Sequence, residues 1–404
     1  MPTTTENSIL LTQSLSLTEG FNERLISRRR YVHQHPELSF AEYATSAWVE
    51  AELRAMGVIQ VCAPTPTSRV AEIKGTGQGG PAKTIAIRAD MDALPIEEQT
   101  RLPFASTVPG ISHACGHDGH IAILLGVTEI LQAHREAFSG TVRLIFQHAE
   151  EKAPGGAIEL VEKGVMQGVD ALLGLHIMPG PVGSIQVSTG PTSSSATDCA
   201  WITVMGCGAH ASMPETGIDP ILIGAEIVTA LHTIVSRTVD PDHFAVVSPT
   251  VFQGGDVINA IPQSVRIGVN TRTRFPEDRE LVRTRIEALA QGIATAHNAS
   301  ASIEWLMGCP AAPQDPALAR RALALAEKLL PPGFAITGNG MKASEDFARL
   351  AQVAPALHVI LGGGTAAEGY PHSNHHPAYQ FDERCLTVGA QFQAALALDL
   401  LTRG

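Results

Sequence analysis

The sequence predicts an α/β protein: a discontinuous domain with a central, mostly parallel sheet, interrupted by a smaller βαββαβ domain of ferredoxin-like form. Three observations predict it. Short apolar runs alternate with helix-period segments through the first half of the chain. That rhythm stops at the small, polar stretch STGPTSSSATD (188–198) and gives way to four strands and two helices in the order β-α-β-β-α-β. From PQDPALARRALALAEKLL onward the first rhythm returns. The expected division is 1–194 with 306–404 for the larger domain and 195–305 for the insertion. A chain of 404 residues exceeds one ordinary core, which supports two.

In order, TIAIRADMDAL reads as a strand ending near Ala89, IAILLGVTEILQAH as a helix and TVRLIFQ as a second strand. GAIELVEKGVM follows as a helix and ALLGLHI as a third strand. In the insertion, AWITVMG, FAVVSPTVFQ, SVRIGVNTRTR and ASIEWLM are strands, and DPILIGAEIVTALHTIVSR and DRELVRTRIEALAQGIATAH are helices. ALHVILGGG is a late strand of the larger domain.

Hydrophobic residues at 44% and charged residues at 17% describe a globular chain able to bury a core. A net charge of -12 argues against nucleic acid or an anionic membrane surface as partner. No apolar run approaches the ~20 residues of a membrane span. MPTTTENSIL lacks the basic and apolar regions of a secretory signal. The six cysteines (Cys62, Cys115, Cys199, Cys207, Cys309, Cys385) form no paired framework, which fits a reducing cytoplasm.

The chemistry is concentrated in ISHACGHDGHIAILLG (111–126), where His113, Cys115, His117, Asp118 and His120 precede an apolar helix. Thiolate beside imidazole suits zinc-like divalent ions; the plainer reading is a buried cysteine with a histidine capping the helix. In open α/β sheets functional groups gather beyond the carboxyl ends of strands. Here successive strands end in Asp90 and Asp92, in Glu150 and Glu151, and in His176, while the late strand leads into YPHSNHHPAYQFDE with His372, His375 and His376. Adjacent glutamates after a strand can divide labour, one ligating a metal and the other serving as general base. Taken alone, that pair is a solvated acidic turn, His176 a core histidine and the histidine cluster a polar loop. A cysteine-hydrolase reading with Cys115 as nucleophile leaves both glutamates and the strand-end histidines without work. GTGQGG (75–80) lacks the lysine and helix start of a phosphate loop, and the GGG at 362–364 reads as a tight backbone passage.

In order and spacing, HQHPELSFAEYAT (33–45), RADMDALPIEE, HACGHDGH, HAEEKAPGGA, GLHIMP, GAHASMPETGIDPI, NAIP, TRTRFPEDR and ASEDFA closely resemble one family over nearly the whole chain. It is the metallo-amidohydrolases that include hippurate hydrolases, plant indole-acetyl-amino-acid hydrolases and N-acyl-amino-acid aminoacylases. The resemblance implies that Cys115, His117, Glu151, His176 and His375 ligate two divalent metal ions, zinc or manganese, with cobalt or nickel as substitutes. It implies Glu150 as general base toward the attacking water, and Asp90 as the carboxylate that orients a metal-ligating group. It implies that His210 steadies the oxyanion, reaching a neighbouring subunit's site in similar enzymes, and that Asn259 and Arg272 hold the substrate carboxylate, with Arg274 competing for that role. The implied protein is a homodimer or higher homo-oligomer joined through the lid domain and acts on small N-acyl amino acids; a dipeptidase or carboxypeptidase, or a non-catalytic metal-binding scaffold, is the rival reading. His148 stands where the family usually has proline, and Lys152 where glycine is common, which bears on acyl specificity. Ser344 of ASEDFA reads only as a helix N-cap.

Overall fold

The computed structural model describes residues 17–78 and 82–402. The signal reading of the first ten residues, and the last two residues of GTGQGG, lie outside them.

The chain opens with helices α1 (Phe21–Gln34) and α2 (Tyr43–Ala55), neither of which the apolar rhythm announced. Strands β1 (Gln60–Cys62), β2 (Arg69–Lys74) and β3 (Thr84–Asp90) follow, then α3 (His117–Ala133), β4 (Thr141–Gln147), α4 (Gly156–Glu162), β5 (Ala171–Met178) and β6 (Ile185–Ser188). Helix α4 ends four residues before the expected stretch does, because Gly164 turns the chain at φ 77°. The next stretch carries β7 (Ala196–Met205), β8 (Ala209–His210), α5 (Pro220–Arg237), β9 (Ala245–Gln253), β10 (Ala260–Ile261), β11 (Ser264–Thr273), α6 (Pro276–Ala296) and β12 (Ser300–Met307). The chain closes with α7 (Pro316–Leu329), β13 (Ala335–Gly338), α8 (Phe347–Ala351), β14 (Ala356–Gly362) and α9 (Arg384–Thr402). Helices α5 and α7 start on Asp-Pro, where the Asp219 and Asp315 carboxylates accept the first free backbone N–H groups.

These elements form two compact units. The first takes the chain up to Ser193, Pro313–Gly340 and from Arg349 onward; the second takes Ser194–Ala312 and Met341–Ala348. The first unit is built on an eight-stranded sheet in the order β1-β2-β4-β3-β5-β14-β6-β13. Its centre, β4-β3-β5-β14, is parallel throughout. Strands β3 and β5 are buried on both faces along nearly their whole length. This explains why they read as continuous apolar runs. Helix α9 is long and apolar enough to cross a membrane by length and composition, as is α5, contrary to the sequence reading. Most of α9 is buried in the first unit's core through Leu386, Phe392, Leu396 and Leu400. That burial on all sides accounts for its composition.

The second unit carries an antiparallel sheet in the order β12-β7-β11-β9. Burial alternates residue by residue along β7, so one face is covered and the other is not. Ile202, Val204 and Ile267 of the covered face pack against Ile223, Ile227 and Leu231 of α5 and Val282 and Ile286 of α6. A separate two-stranded ribbon pairs β8 with β10.

Candidate metal centre

The carboxyl ends of β3, β4 and β5 and the start of α3 bring one cluster together in the first unit. Gly116 precedes α3 at φ 94°, and a Cβ there would lie 3.3 Å from the Tyr379 hydroxyl. A glycine is therefore required for the chain to present Cys115 and His117 on either side of the turn. Nδ1 of His117 donates to the Asp92 backbone carbonyl at 2.9 Å, and its Nε2 is buried with no hydrogen-bond partner. His176 has the same arrangement: Nδ1 donates to the Ile177 carbonyl at 2.9 Å, and Nε2 lies 3.4 Å from Cys115 Sγ. A histidine whose Nδ1–H is so occupied turns a lone pair on Nε2 toward a metal.

The glutamate pair is fixed through its backbone. Asp92, buried at the end of β3, accepts the Glu150 N–H at 3.0 Å and the Glu151 N–H at 2.9 Å on its two carboxylate oxygens. Before them Ala149 stands at φ 50°, its N–H held by the Glu42 carboxylate at 2.7 Å. His375, likewise left-handed at φ 69°, donates its backbone N–H to Ala114 at 2.7 Å and brings Nε2 to 3.2 Å from Glu151 Oε1. Non-glycine residues in that region persist where the surroundings hold them, and here they flank the cluster. Asn374 ties the histidine loop down, donating to the carbonyls of Cys115 at 2.8 Å and Ile177 at 3.1 Å. The GGG passage is tight as read from sequence: a Cβ on Gly362 would come within 2.1 Å of the Pro181 carbonyl.

Three overlapping groups result: Cys115, His117 and His176; Cys115, Glu151 and His375; and His117, Glu150 and Glu151. In each the donor atoms lie within 4.8 Å of one another. The electrostatics favour a cation. Burial, then the Glu151 and Glu150 carboxylates, push the Cys115 thiol well above its ordinary range, so a thiolate there needs a positive neighbour. Burial opposes charge on His117, yet Asp90, Asp92 and Glu151 outweigh it and raise the imidazole to about 10. Burial and His120 push His176 well down, leaving it neutral and able to ligate. Sulfur, imidazole nitrogen and carboxylate oxygen, with orphaned acceptors at His117 Nε2 and Glu151 Oε1, fit divalent metal ions.

Two expectations shift. Asp90, expected to orient a metal-ligating group, meets Arg88 and His120, while His117 Nδ1 is held by the Asp92 backbone carbonyl. Ser344 does not cap α8, because the Glu345 carboxylate accepts the Phe347 N–H. Ser344 Oγ instead accepts Arg272 Nη1 at 3.1 Å in the second unit. Asn270 accepts Arg272 Nε at 3.3 Å, so the guanidinium is steered from two sides. Asn270 and Arg272 share the sheet face opposite the helices, two residues apart on β11. Arg274 stacks over Phe244 at 4.9 Å. On the β8–β10 ribbon His210 pairs with Ala260, and beside it the Ala211 N–H donates to the Asn259 carbonyl at 3.0 Å.

A parallel sheet edge carrying a thiol, imidazoles and paired glutamates defines a metal-dependent hydrolase of the α/β class. Residues 86–399 match the model of peptidase family M20/M25/M40, and the chain belongs to that family of amide and peptide hydrolases. It is 40% identical over 390 residues to N-acetylcysteine deacetylase of Bacillus subtilis, covering 95% of this chain and 98% of that one. It is 45% identical over 285 residues to N-acyl-L-amino acid amidohydrolase of Geobacillus stearothermophilus, covering 70% and 76%. The crystal structure of the Bacillus subtilis YXEP protein, a dinuclear metal-binding peptidase from the M20 family, superposes with a TM-score of 0.81. That match is 37% identical, covering 95% of this chain and 99% of that one.

Proposed function

We propose that the protein hydrolyses the amide bond of N-acyl amino acids, releasing a carboxylic acid and the free amino acid. Cys115, His117, Glu151, His176 and His375 would hold two divalent ions, zinc or manganese, with cobalt or nickel able to substitute. The observation that carries this reading is the overlap of two donor triads at Cys115, whose sulfur belongs to both. Five protein donors exceed the needs of one tetrahedral ion, and a shared thiolate suits a pair. The relatives support the same reading, one a dinuclear metal-binding peptidase and two named for N-acyl amino acid substrates.

Divalent ions, when bound, acidify water and polarise a carbonyl. The chain's own residues do the rest. Glu150, aimed by its backbone bond to Asp92, takes the proton of the attacking water and delivers it to the leaving amine. His210 donates to the developing oxyanion. Arg272, steered by Asn270 and Ser344, grips the amino-acid carboxylate with Asn259 beside it. We assign the first unit as the catalytic domain, with the expected 1–194 and 306–404 narrowed because β12 and Met341–Ala348 belong to the second unit. We assign the second unit, in place of the expected 195–305, as a ferredoxin-like lid through which a cytoplasmic homodimer or higher homo-oligomer forms, and the β-α-β-β-α-β order and four-stranded sheet support that form.

The test is a hydrolysis panel of N-acetyl, N-benzoyl and long-chain N-acyl amino acids, run on metal-stripped protein reloaded with zinc, manganese or cobalt. Arg272→Ala is expected to weaken substrates with a free carboxylate by about 1.5–3 kcal/mol, the worth of a hydrogen bond to a charged group. Their methyl esters should lose far less. Selective loss in Arg274→Ala alone would move the role to that residue. Equal loss of acid and ester in both variants would remove carboxylate recognition from this strand. No turnover of any panel member would overturn the substrate class.

A further inference from the structure

Behind the candidate ligands a chain of hydrogen bonds crosses the carboxyl ends of three neighbouring strands. At the end of β4, the Gln147 side-chain oxygen accepts Arg88 Nε at 2.9 Å. Arg88 donates through Nη1 to Oδ2 of Asp90 at 2.7 Å. Oδ1 of Asp90 accepts His120 Nδ1–H at 2.6 Å, and His120 Nε2 accepts the Ile177 backbone N–H at 2.9 Å, beside His176 on β5. None of these four side chains belongs to a residue more than 3% exposed.

By residue type, Asp90, His117 and His120 form another metal triad, with donor atoms within 4.8 Å of one another. The hydrogen bonds say otherwise. Accepting a backbone N–H fixes His120 as the neutral imidazole with its one proton on Nδ1, so neither nitrogen has a lone pair left for a metal. Asp90 gives one oxygen to His120 and the other to a buried guanidinium that balances its charge. Yet Asp90 Oδ2 stands only 3.5 Å from His117 Nε2, the atom His117 offers to an ion. Released from Arg88, that oxygen is close enough to become a ligand.

We propose that Arg88 and His120 hold Asp90 out of the metal centre, so that Arg88 sets its metal preference. The proposal rests on the ligand set above. One thiolate and three imidazoles against one carboxylate make a borderline-soft site, suited to zinc or cobalt before harder ions. An added carboxylate oxygen would tilt it toward manganese.

The experiment measures metal content and competitive metal affinity of stripped and reloaded protein. Asp90→Asn is expected to bind as many ions per chain as the wild type, because Asp90 is not a ligand. Loss of an ion in that variant overturns the proposal. Arg88→Met should tighten manganese relative to zinc by about tenfold, the scale on which groups behind a ligand alter metal affinity. The double variant Arg88→Met with Asp90→Asn should return to the wild-type ratio. An unchanged ratio in Arg88→Met, or a shift that survives in the double variant, also overturns it. Arg88→Lys keeps the charge and should keep the wild-type ratio; if Arg88→Met does not fold, the metal count of Asp90→Asn still decides. Failure of the ligand set itself would appear separately, as Cys115→Ser retaining every ion with wild-type affinity.

Discussion

At the scale of single residues, Glu150 and Glu151 are neighbours with different surroundings. Glu151 Oε1 faces His117 at 3.8 Å and His375 at 3.2 Å, which is the company of a ligand. Glu150→Gln keeps the backbone bond to Asp92 and removes only the proton acceptor. Turnover is expected to fall by about 10²–10⁴-fold, the usual worth of general acid–base catalysis, with metal content unchanged by elemental analysis. Loss of metal in that variant would exchange the roles of the two glutamates. Most of these residues were legible in the sequence, because thiol, imidazole and carboxylate at successive strand ends are conspicuous. Asp92 was not separated from Asp90, since RADMD offers two carboxylates and only the hydrogen bonds tell which faces which histidine. Ser344 was invisible as a partner of Arg272, being 72 residues away in sequence, and Asn270, two residues before it, became a partner only once the strand put both on one face.

At the scale of elements, the apolar runs of β3, β4, β5 and β14 identified themselves. Helix α1 did not, and its packing explains why. Its buried positions include Arg28, Arg29 and His33 beside Phe21, Leu25 and Val32, so no purely apolar stripe marks it. Arg29 donates Nε to Asp118 at 2.7 Å, and His33 Nδ1 pairs with the same oxygen at 2.8 Å, clamping α1 to the first turn of α3. Arg29 is also sandwiched between Phe104 and Phe381, at 4.8 and 4.5 Å from their ring centres. Burial alone would raise the Asp118 carboxyl, but Arg29 and His33 outweigh it and hold it well below the usual range. A carboxyl lowered on folding adds stability above its unfolded value of about 3.9, and that stability is lost only in acid. Asp118→Asn should therefore cost about 1.5–3 kcal/mol in urea unfolding at neutral pH, the worth of hydrogen bonds to a charged group, since Glu383 still faces Arg29 and Glu98 still faces His33. The deficit should shrink as the pH falls below about 4, because protons then bind this carboxyl in the unfolded chain before they bind it in the folded one. A loss under 1 kcal/mol at neutral pH would mean that the clamp is dispensable.

At the scale of the whole molecule, the proposed metal centre joins segments from Cys115 to His375, so bound metal should act as a cross-link of the folded state. Ligand that binds only the folded form stabilises it by mass action, about 4 kcal/mol at a thousandfold excess over Kd. Chelation is expected to lower the melting temperature by several degrees, and zinc should restore it in a concentration-dependent way. A melting temperature indifferent to chelator, in protein shown to have carried metal, would place the ions outside the folded core. The order of the strands was less legible than their existence. No feature of β6 or β13 in the sequence announced that β14 would come to lie between β5 and β6.

That strand order has a consequence in time. Strand β5 is finished at Met178, but its parallel neighbour β14 begins only at Ala356. About 180 residues, including all of the second unit, must leave the ribosome in between, which at 5–20 residues per second takes roughly 10–40 s. Throughout that interval β5, buried along nearly its whole length in the finished protein, keeps one edge unsatisfied. The nascent chain thus carries a sticky, half-built sheet while its insertion is still being made.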